Sequence, residues 1–133
     1  MVANFIRQAL RGDPITVHGD GKQTRCFTYI EDAVAGTLLA GEVKEALGEA
    51  FNVGSTSETS ILDLAKMVKR LARPKSPIEF LTYEAYYGEG FEDTRRRVPS
   101  VEKAKRLLGF TPRVDLETGL KKTIAWCREH YTH

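Results

Sequence analysis

The chain is 133 residues long with a formal net charge of +2, and its 41% hydrophobic and 29% charged residues exclude a disordered chain. No apolar run approaches the roughly 20 residues that span a bilayer, which predicts no membrane partner. Polar side chains interrupt the first residues, unlike those of a secretory signal, so we expect a cytoplasmic protein. The positive charge is too mild for a dedicated nucleic-acid binder.

Few residues are available for disulfide or metal chemistry. Cys26 and Cys127 are far apart in a chain without secretory context, so we expect free thiols in small buried side chains. Of the three histidines, His130 and His133 lie among the last four residues. That arrangement predicts no metal site.

The chain begins with a predicted helix, strand and turn. Apolar side chains in residues 3–11 recur at helical spacing, and Gly12 and Pro14 end that helix. Ile15–His18 is predicted as a strand, and Gly19–Gly21 as a turn, because glycine accepts positive φ without steric cost. The turn is not a Walker A motif, in which Ser or Thr directly follows Gly-Lys, and we interpret it as a hairpin turn.

A second β-prone run, residues 26–30, leads into a helix at about residues 31–41. Glu31 and Asp32 lie in its first turn, where the helix dipole favours acidic side chains. The rest of this helix is almost uniformly small and apolar. We therefore expect it to be buried on more than one side.

The middle of the chain predicts two strands on either side of its clearest helix. Residues 50–54 and 78–83 are predicted as strands. Ser60 and Asp63 fit a capping box that opens the helix between them. The apolar side chains of this helix recur at helical spacing, and they are Ile61, Leu64, Ala65, Val68, Leu71 and Ala72.

Two more helices follow a polar loop, residues 84–97, that ends in three arginines. Ser100 is expected to cap the first of these helices, and Gly109 to end it. Asp115 is expected to cap the last helix, where Trp126 and an apolar stripe are predicted as core. The stripe consists of Leu116, Leu120, Ile124, Cys127 and Tyr131. The order of elements predicts an α/β or α+β mixture with a small sheet and about five helices.

The segment Val17–Asp32, which reads Val-His-Gly-Asp-Gly-Lys-Gln-Thr-Arg-Cys-Phe-Thr-Tyr-Ile-Glu-Asp, resembles extended short-chain dehydrogenase/reductases that act on nucleotide sugars. These are the UDP-glucuronate decarboxylases, the UDP-glucose 4-epimerases and the dTDP-glucose 4,6-dehydratases. The match continues through Phe51–Ser55, Ile61–Ala65, Arg96–Pro112 and Leu116–Leu120. Because it covers nearly the whole chain in the family's order and spacing, the resemblance is specific.

The resemblance implies that residues 1–133 are a single substrate-binding domain, the C-terminal portion of such an enzyme, with the Rossmann nucleotide-binding domain absent. In the family, that domain carries a Gly-x-x-Gly-x-x-Gly loop for NAD and a Tyr-x-x-x-Lys catalytic pair. Neither pattern occurs in this sequence. We therefore expect no catalytic residue and no cofactor in this chain, although NAD serves the intact family enzymes.

The resemblance also implies a set of substrate-binding residues. Arg25 and Arg97 match arginines that lie near the phosphates of the nucleotide sugar, where a guanidinium offers a planar fork of donors to phosphate oxygens. Val17 and His18 match the segment beside the nucleobase, and Asn4 lies near the family's substrate-side helix. The alternative is that both arginines are solvated loop side chains.

Three functions remain open on these residues. The leading one is the UDP- or dTDP-sugar-binding half of an NAD-dependent epimerase, dehydratase or decarboxylase, inactive alone. The others are a free-standing nucleotide-sugar-binding or regulatory module, and a structural or interaction domain. In the family, the helix at 31–41 and the strand at 50–54 lie against the Rossmann sheet. We therefore expect their uncovered surfaces to produce a homodimer or a swapped assembly.

Overall fold

A computed structural model describes the chain at residues 1–72, 75–82 and 93–131. Over these residues, five α-helices combine with two small β-sheets, which confirms the predicted mixture of helices and strands. Most of the predicted loop 84–97 and the end of the predicted strand 78–83 lie outside the described residues.

The chain divides into two compact units, each made from separate stretches of sequence. The first unit consists of Met1–Thr24, Thr59–Arg96 and Leu120–His133. The second unit consists of Arg25–Glu58 and Arg97–Gly119. That the whole chain acts as one substrate-binding domain stays a prediction.

Helices and strands are interspersed along the chain, and a short 3₁₀ helix at Lys44–Ala46 follows the second α-helix. In sequence they are α1 (Val2–Arg11), β1 (Ile15–His18), β2 (Thr24–Cys26), α2 (Ile30–Glu42), β3 (Glu58–Ser60), α3 (Ile61–Ala72), β4 (Ile78–Leu81), β5 (Arg96–Arg97), α4 (Glu102–Leu108) and α5 (Leu116–His130). Strands β1 and β4 form a parallel pair, with Ile15 opposite Ile78 and His18 opposite Leu81. The other sheet has the strand order β3-β2-β5.

The turn between β1 and β2 is formed, but the predicted hairpin is wrong. Gly19 and Gly21 have φ values of 69° and 70°, as a tight turn requires. However, β1 pairs with β4 and β2 pairs with β3 and β5, so the turn leads from one sheet to the other. A parallel pair needs a long crossover, and the connection from β1 to β4 includes α3.

The core of the first unit forms between α1, β1 and α3. Helix α1 ends at Gly12, whose φ of 80° is a left-handed conformation that glycine adopts at low cost. Helix α3 begins as predicted, because the Asp63 N–H donates to the Ser60 hydroxyl at 3.0 Å. The buried apolar side chains of these three elements are Phe5, Ile6, Ala9, Ile15, Val17, Ile61, Leu64, Ala65, Val68 and Ala72.

The core of the second unit forms where α2 and α4 pack together. Its buried members are Ala46, Ala104, Leu108 and Phe110. Leu39, Ala40, Val43, Phe51 and Val53 are partly buried against them. Gly36 allows α2 to lie close to this cluster, since a Cβ atom at that position would come within 2.3 Å of the Val53 Cγ1 atom.

Two predicted strands are misplaced. Residues 50–54 are not a strand, because Phe51 and Val53 pack against the core of the second unit instead of joining a sheet. The strand predicted at 26–30 lies at Thr24–Cys26, since α2 begins at the last residue of the predicted range. In both cases the apolar pattern is real, but tertiary packing decides which structure it takes.

The two predicted caps of the C-terminal helices have different outcomes. Asp115 caps α5, because its carboxylate accepts hydrogen bonds from the Thr118 N–H at 2.9 Å and hydroxyl at 2.8 Å. Ser100 does not cap α4, whose N-cap is Val101 and has no side-chain bond. Instead, the Ser100 carbonyl accepts a hydrogen bond from the Asn52 side chain at 3.1 Å.

Two helices are less buried than predicted. In α2 only Asp32 and Gly36 are buried, so the expectation of burial on several sides is wrong. In α5, Trp126 is 50% exposed and Tyr131 is 67% exposed, so the core prediction is wrong for these two side chains. The large apolar side chains that α2 exposes are Ile30, Val34 and Leu38.

Candidate functional site

Arg25 and Arg97 lie on hydrogen-bonded neighbouring strands. Arg25 is the central residue of β2 and is half-buried, while Arg97 ends β5 and is exposed. Both belong to the second unit, and β5 is next to β2 in the strand order. Residues 72 positions apart in sequence are therefore brought together by strand pairing. A guanidinium group on each of two adjacent strands supplies donors suited to phosphate oxygens.

The strand ends that lead to these arginines are held by the turn before β2. The Asp20 carboxylate accepts from the Lys22 N–H at 2.9 Å and from the Arg95 guanidinium at 2.8 Å. The Arg95 carbonyl accepts from the Thr24 N–H at 2.9 Å. The Arg95 hydrogen bond is also the main reason that the pKa of Asp20 is lowered. Of the three consecutive arginines, Arg95 thus has a structural role in holding this turn.

The N-terminus of α3 holds the same turn from its other side. The Ile61 N–H donates to the Gln23 carbonyl and the Leu62 N–H to the Gly21 carbonyl, both at 3.0 Å. The Gln23 side chain is only 5% exposed and donates to the His18 carbonyl at 3.1 Å. Because these two amides of α3 already bind carbonyls, arginine side chains are better placed than these amides to bind an anion.

Val17, His18 and Asn4 belong to the first unit. The Val17 side chain is fully buried, so Val17 could meet a ligand only through its backbone. His18 is half-buried at the end of β1. Asn4 is exposed on α1, where its side-chain oxygen accepts from the Arg7 guanidinium at 3.4 Å. That these three residues bind substrate stays a prediction.

Asp32 is a structural residue whose partners the sequence does not reveal. It is 5% exposed, and its two carboxylate oxygens accept from the Arg113 N–H at 3.0 Å and the Val114 N–H at 2.9 Å. It therefore ties the start of α2 to the segment between α4 and α5. In the sequence, the helix dipole alone accounts for an acidic residue in the first turn. The sequence signals a further role for Asp32 only by placing this acid in an otherwise apolar helix.

Residues 1–72, 75–82 and 93–131 contain neither a metal-binding cluster nor a membrane-spanning helix. Within those ranges, no group of three or more His, Cys, Asp and Glu side chains could hold a metal ion. No helix there is long and apolar enough to pass through a bilayer. Cys26 and Cys127 are free thiols, as predicted, but both are only half-buried, so the expectation of buried side chains is wrong.

A family model described as GDP-mannose 4,6 dehydratase matches residues 1–123. The chain belongs to the GDP-mannose 4,6-dehydratase family. It is 46% identical over 129 residues to a UDP-N-acetyl-alpha-D-glucosaminuronate decarboxylase of Bacillus cytotoxicus, a match that covers 97% of this chain and 40% of the relative. It is 41% identical over 133 residues to UDP-glucuronic acid decarboxylase 1 of Danio rerio, a match that covers all of this chain and 30% of the relative.

The fold of this chain is also similar to the folds of solved structures. An epimerase from Methanothermobacter thermautotrophicus superposes with a TM-score of 0.87 at 31% identity, covering 98% of this chain and 37% of that one. UDP-glucuronic acid 4-epimerase from Bacillus cereus, solved in complex with NAD, superposes with a TM-score of 0.82 at 32% identity, covering 98% and 40%. The resemblance to extended short-chain dehydrogenase/reductases is thus confirmed. The chain spans less than half the length of these proteins.

Proposed function

We propose that this chain is the nucleotide-sugar-binding part of an NAD-dependent epimerase, dehydratase or decarboxylase of the cytoplasm. The observation that carries the proposal is the position of Arg25 and Arg97 on adjacent strands of one sheet. The two decarboxylases named above act on UDP-sugars, which carry a diphosphate. UDP- or dTDP-sugars are therefore the ligands that we assign to these arginines.

The proposed role of the arginines is to bind the diphosphate and so position the sugar. Guanidinium groups stay charged at every working pH and match phosphate oxygens in a planar fork. The bonds that hold the turn before β2 fix the strand ends in advance, which reduces the ordering cost of binding. In the complete enzyme, binding energy from the diphosphate would hold the reacting carbon at the nicotinamide.

Catalysis and NAD binding are assigned to polypeptide outside this sequence. The chain contains neither a Gly-x-x-Gly-x-x-Gly loop nor a Tyr-x-x-x-Lys pair, and its matches cover 30–40% of the relatives. We therefore expect the purified 133 residues to show no turnover of UDP-sugars with NAD. A rate above background in that assay would overturn this assignment.

Binding is tested by titrating the purified chain with UDP in a calorimeter. Arg25→Ala should weaken UDP binding by about ten-fold or more, because a hydrogen bond to a charged group contributes roughly 1.5–3 kcal/mol. Arg106→Gln is the matched control, since Arg106 is an exposed arginine of the same unit on α4. If the wild-type chain does not bind UDP at millimolar concentration, a structural or interaction role replaces the proposal.

The exposed face of α2 is the surface that we propose for self-association. Ile30, Val34 and Leu38 recur every four residues, and they are 64%, 49% and 58% exposed. Such a stripe on a helix is typical of an interface. In the isolated chain we expect it to form a homodimer, which Leu38→Glu should shift to monomer in light scattering. A wild-type chain that is monomeric at high concentration would contradict the dimer.

A further inference from the structure

A second candidate site lies in the first unit, where α1 and the end of α5 form a cavity of about 930 Å³. This volume is within the range of roughly 300–1,000 Å³ that small-molecule sites occupy. The residues of α1 that line it come from one exposed face, and Ala72 contributes from the end of α3. The lining that the argument uses consists of Arg7, Leu10, Arg11, Cys127, Arg128 and Tyr131.

The charges around the cavity are positive. Arg7 and Arg11 lie one helical turn apart on α1, and like charges at this spacing destabilise an isolated helix. The Arg128 guanidinium is held in the wall by a 3.0 Å hydrogen bond to the Ala72 carbonyl. None of the described residues that line the cavity carries a carboxylate. The guanidinium groups of Arg7 and Arg11 therefore offer two charged donors to an anion in this cavity.

The rest of the wall is apolar or aromatic. Leu10 and Cys127 contribute apolar surface, and burial raises the pKa of the Cys127 thiol, so the thiol stays protonated and adds no negative charge. At one end, Tyr131 is 67% exposed and meets Trp126 edge-on with ring centroids 5.4 Å apart. Trp126 in turn stacks on His130, a lining residue, at 4.4 Å. Exposed aromatic rings at a charged cavity suit a ligand with a planar ring.

We propose that this cavity is a second ligand site, which binds an organic anion that carries both a phosphate group and a planar ring, the chemistry of a nucleoside phosphate. Arg7 and Arg11 bind the phosphate, and the ring lies against Tyr131 and the apolar wall. The site uses residues other than Arg25 and Arg97. Its existence therefore does not depend on the function proposed above.

Trp126 gives this cavity its own optical reporter, because it is the single tryptophan of the chain. The purified chain is titrated with UDP, pyrophosphate and uridine while the fluorescence of Trp126 is followed. We expect a saturable change with UDP, a weaker affinity for pyrophosphate, which lacks the ring, and the weakest for uridine, which lacks the phosphates. The double variant Arg7→Gln/Arg11→Gln should weaken the UDP response by roughly ten-fold or more, as loss of a charge-assisted contact predicts.

Three further variants separate this site from the other one. Arg25→Gln and the charge-matched Arg106→Gln should leave the Trp126 titration unchanged, whereas Tyr131→Leu should remove the preference for UDP over pyrophosphate. The proposal is overturned if UDP leaves Trp126 fluorescence unchanged up to millimolar concentration, or if Arg106→Gln weakens the response as much as the double variant. It is also overturned if Arg25→Gln abolishes the fluorescence response, since Trp126 would then report the other site.

Discussion

Helices α3 and α2 both carry many apolar residues, but α3 buries them and α2 does not. The apolar side chains of α3 recur at helical spacing, and Leu64, Ala65 and Val68 are fully buried in the first unit. Helix α2 is apolar almost all round, yet Ile30, Val34 and Leu38 stay exposed in the second unit. Periodic apolar residues thus indicate burial within the chain. In α2, by contrast, a uniformly apolar composition does not indicate burial within the chain.

The same substitution in both helices gives the largest expected contrast. Leu64→Ala should lower the free energy of unfolding by about 3 kcal/mol, because it leaves a cavity beneath a fully buried side chain. Leu38→Ala removes the same atoms from a side chain that is 58% exposed. It should change the free energy of unfolding by at most about 0.5 kcal/mol. Denaturant unfolding of monomeric samples measures both. Equal losses would mean that the α2 face is covered within the chain.

Helix α2 is anchored by a carboxylate as well as by packing, which gives the next largest effect. Asp32→Ala removes both acceptors of the Arg113 and Val114 N–H groups, so it should destabilise the chain by about 2 kcal/mol. Asp32→Asn keeps one acceptor and should cost less. Denaturant unfolding measures the free energy of unfolding of both variants. A value unchanged by Asp32→Ala would show that the hydrogen bonds to the Asp32 carboxylate do not stabilise the chain.

Two glycines of α2 test its packed and open sides. Gly36→Ala should destabilise by about 1–2 kcal/mol, because the new Cβ would lie 2.3 Å from the Val53 side chain and 3.1 Å from Phe110. Gly41→Ala meets nothing within 4 Å and should stabilise by about 0.5 kcal/mol through its helix propensity. Thermal unfolding should therefore shift in opposite directions. A shift in the same direction would contradict the packing of α2 on this cluster.

The N-terminus of α5 gives the smallest effect, which depends on pH. Hydrogen bonds from Thr118 hold the pKa of Asp115 below its usual value. A folded-state pKa below the unfolded value of about 3.9 means that the cap stabilises above that pH, and that the stability is lost as the pH falls through the folded value. Between neutral pH and pH 3, the melting temperature of Asp115→Asn should therefore fall by less than that of the wild type. Parallel curves for the two proteins would exclude this contribution.

Local signals predicted the elements whose cause is local. Gly12 ends α1, Ser60 opens α3 and Asp115 caps α5, each through bonds within a few residues. The strand predicted at 50–54 has the right apolar residues, but no local signal shows that Phe51 packs on a distant helix pair instead. Local structure is therefore predictable where the chain satisfies its own hydrogen bonds.

The candidate site is harder to predict, because its parts meet only through tertiary structure. Asp32 binds amides 81 and 82 positions away, and the burial of Gln23 has no sequence signal. The family resemblance pointed to Arg25 and Arg97, whereas their placement on adjacent strands follows from the sheet order. For the α1 cavity, the sequence does contain a signal. Arg7 and Arg11 lie one turn apart on α1, and because like charges at this spacing destabilise a helix, the pair indicates a role other than helix stability.

The most direct test of the central claim is the ratio of uridine and UDP dissociation constants, measured by calorimetry. The ratio isolates the contribution of the diphosphate. If Arg25 and Arg97 bind that group, the ratio should be large for wild type and for Arg106→Gln, and should fall by about ten-fold or more in Arg25→Gln and in Arg97→Gln. The Arg7→Gln/Arg11→Gln background removes any contribution from the α1 cavity. A ratio in that background that neither Arg25→Gln nor Arg97→Gln reduces would contradict the claim.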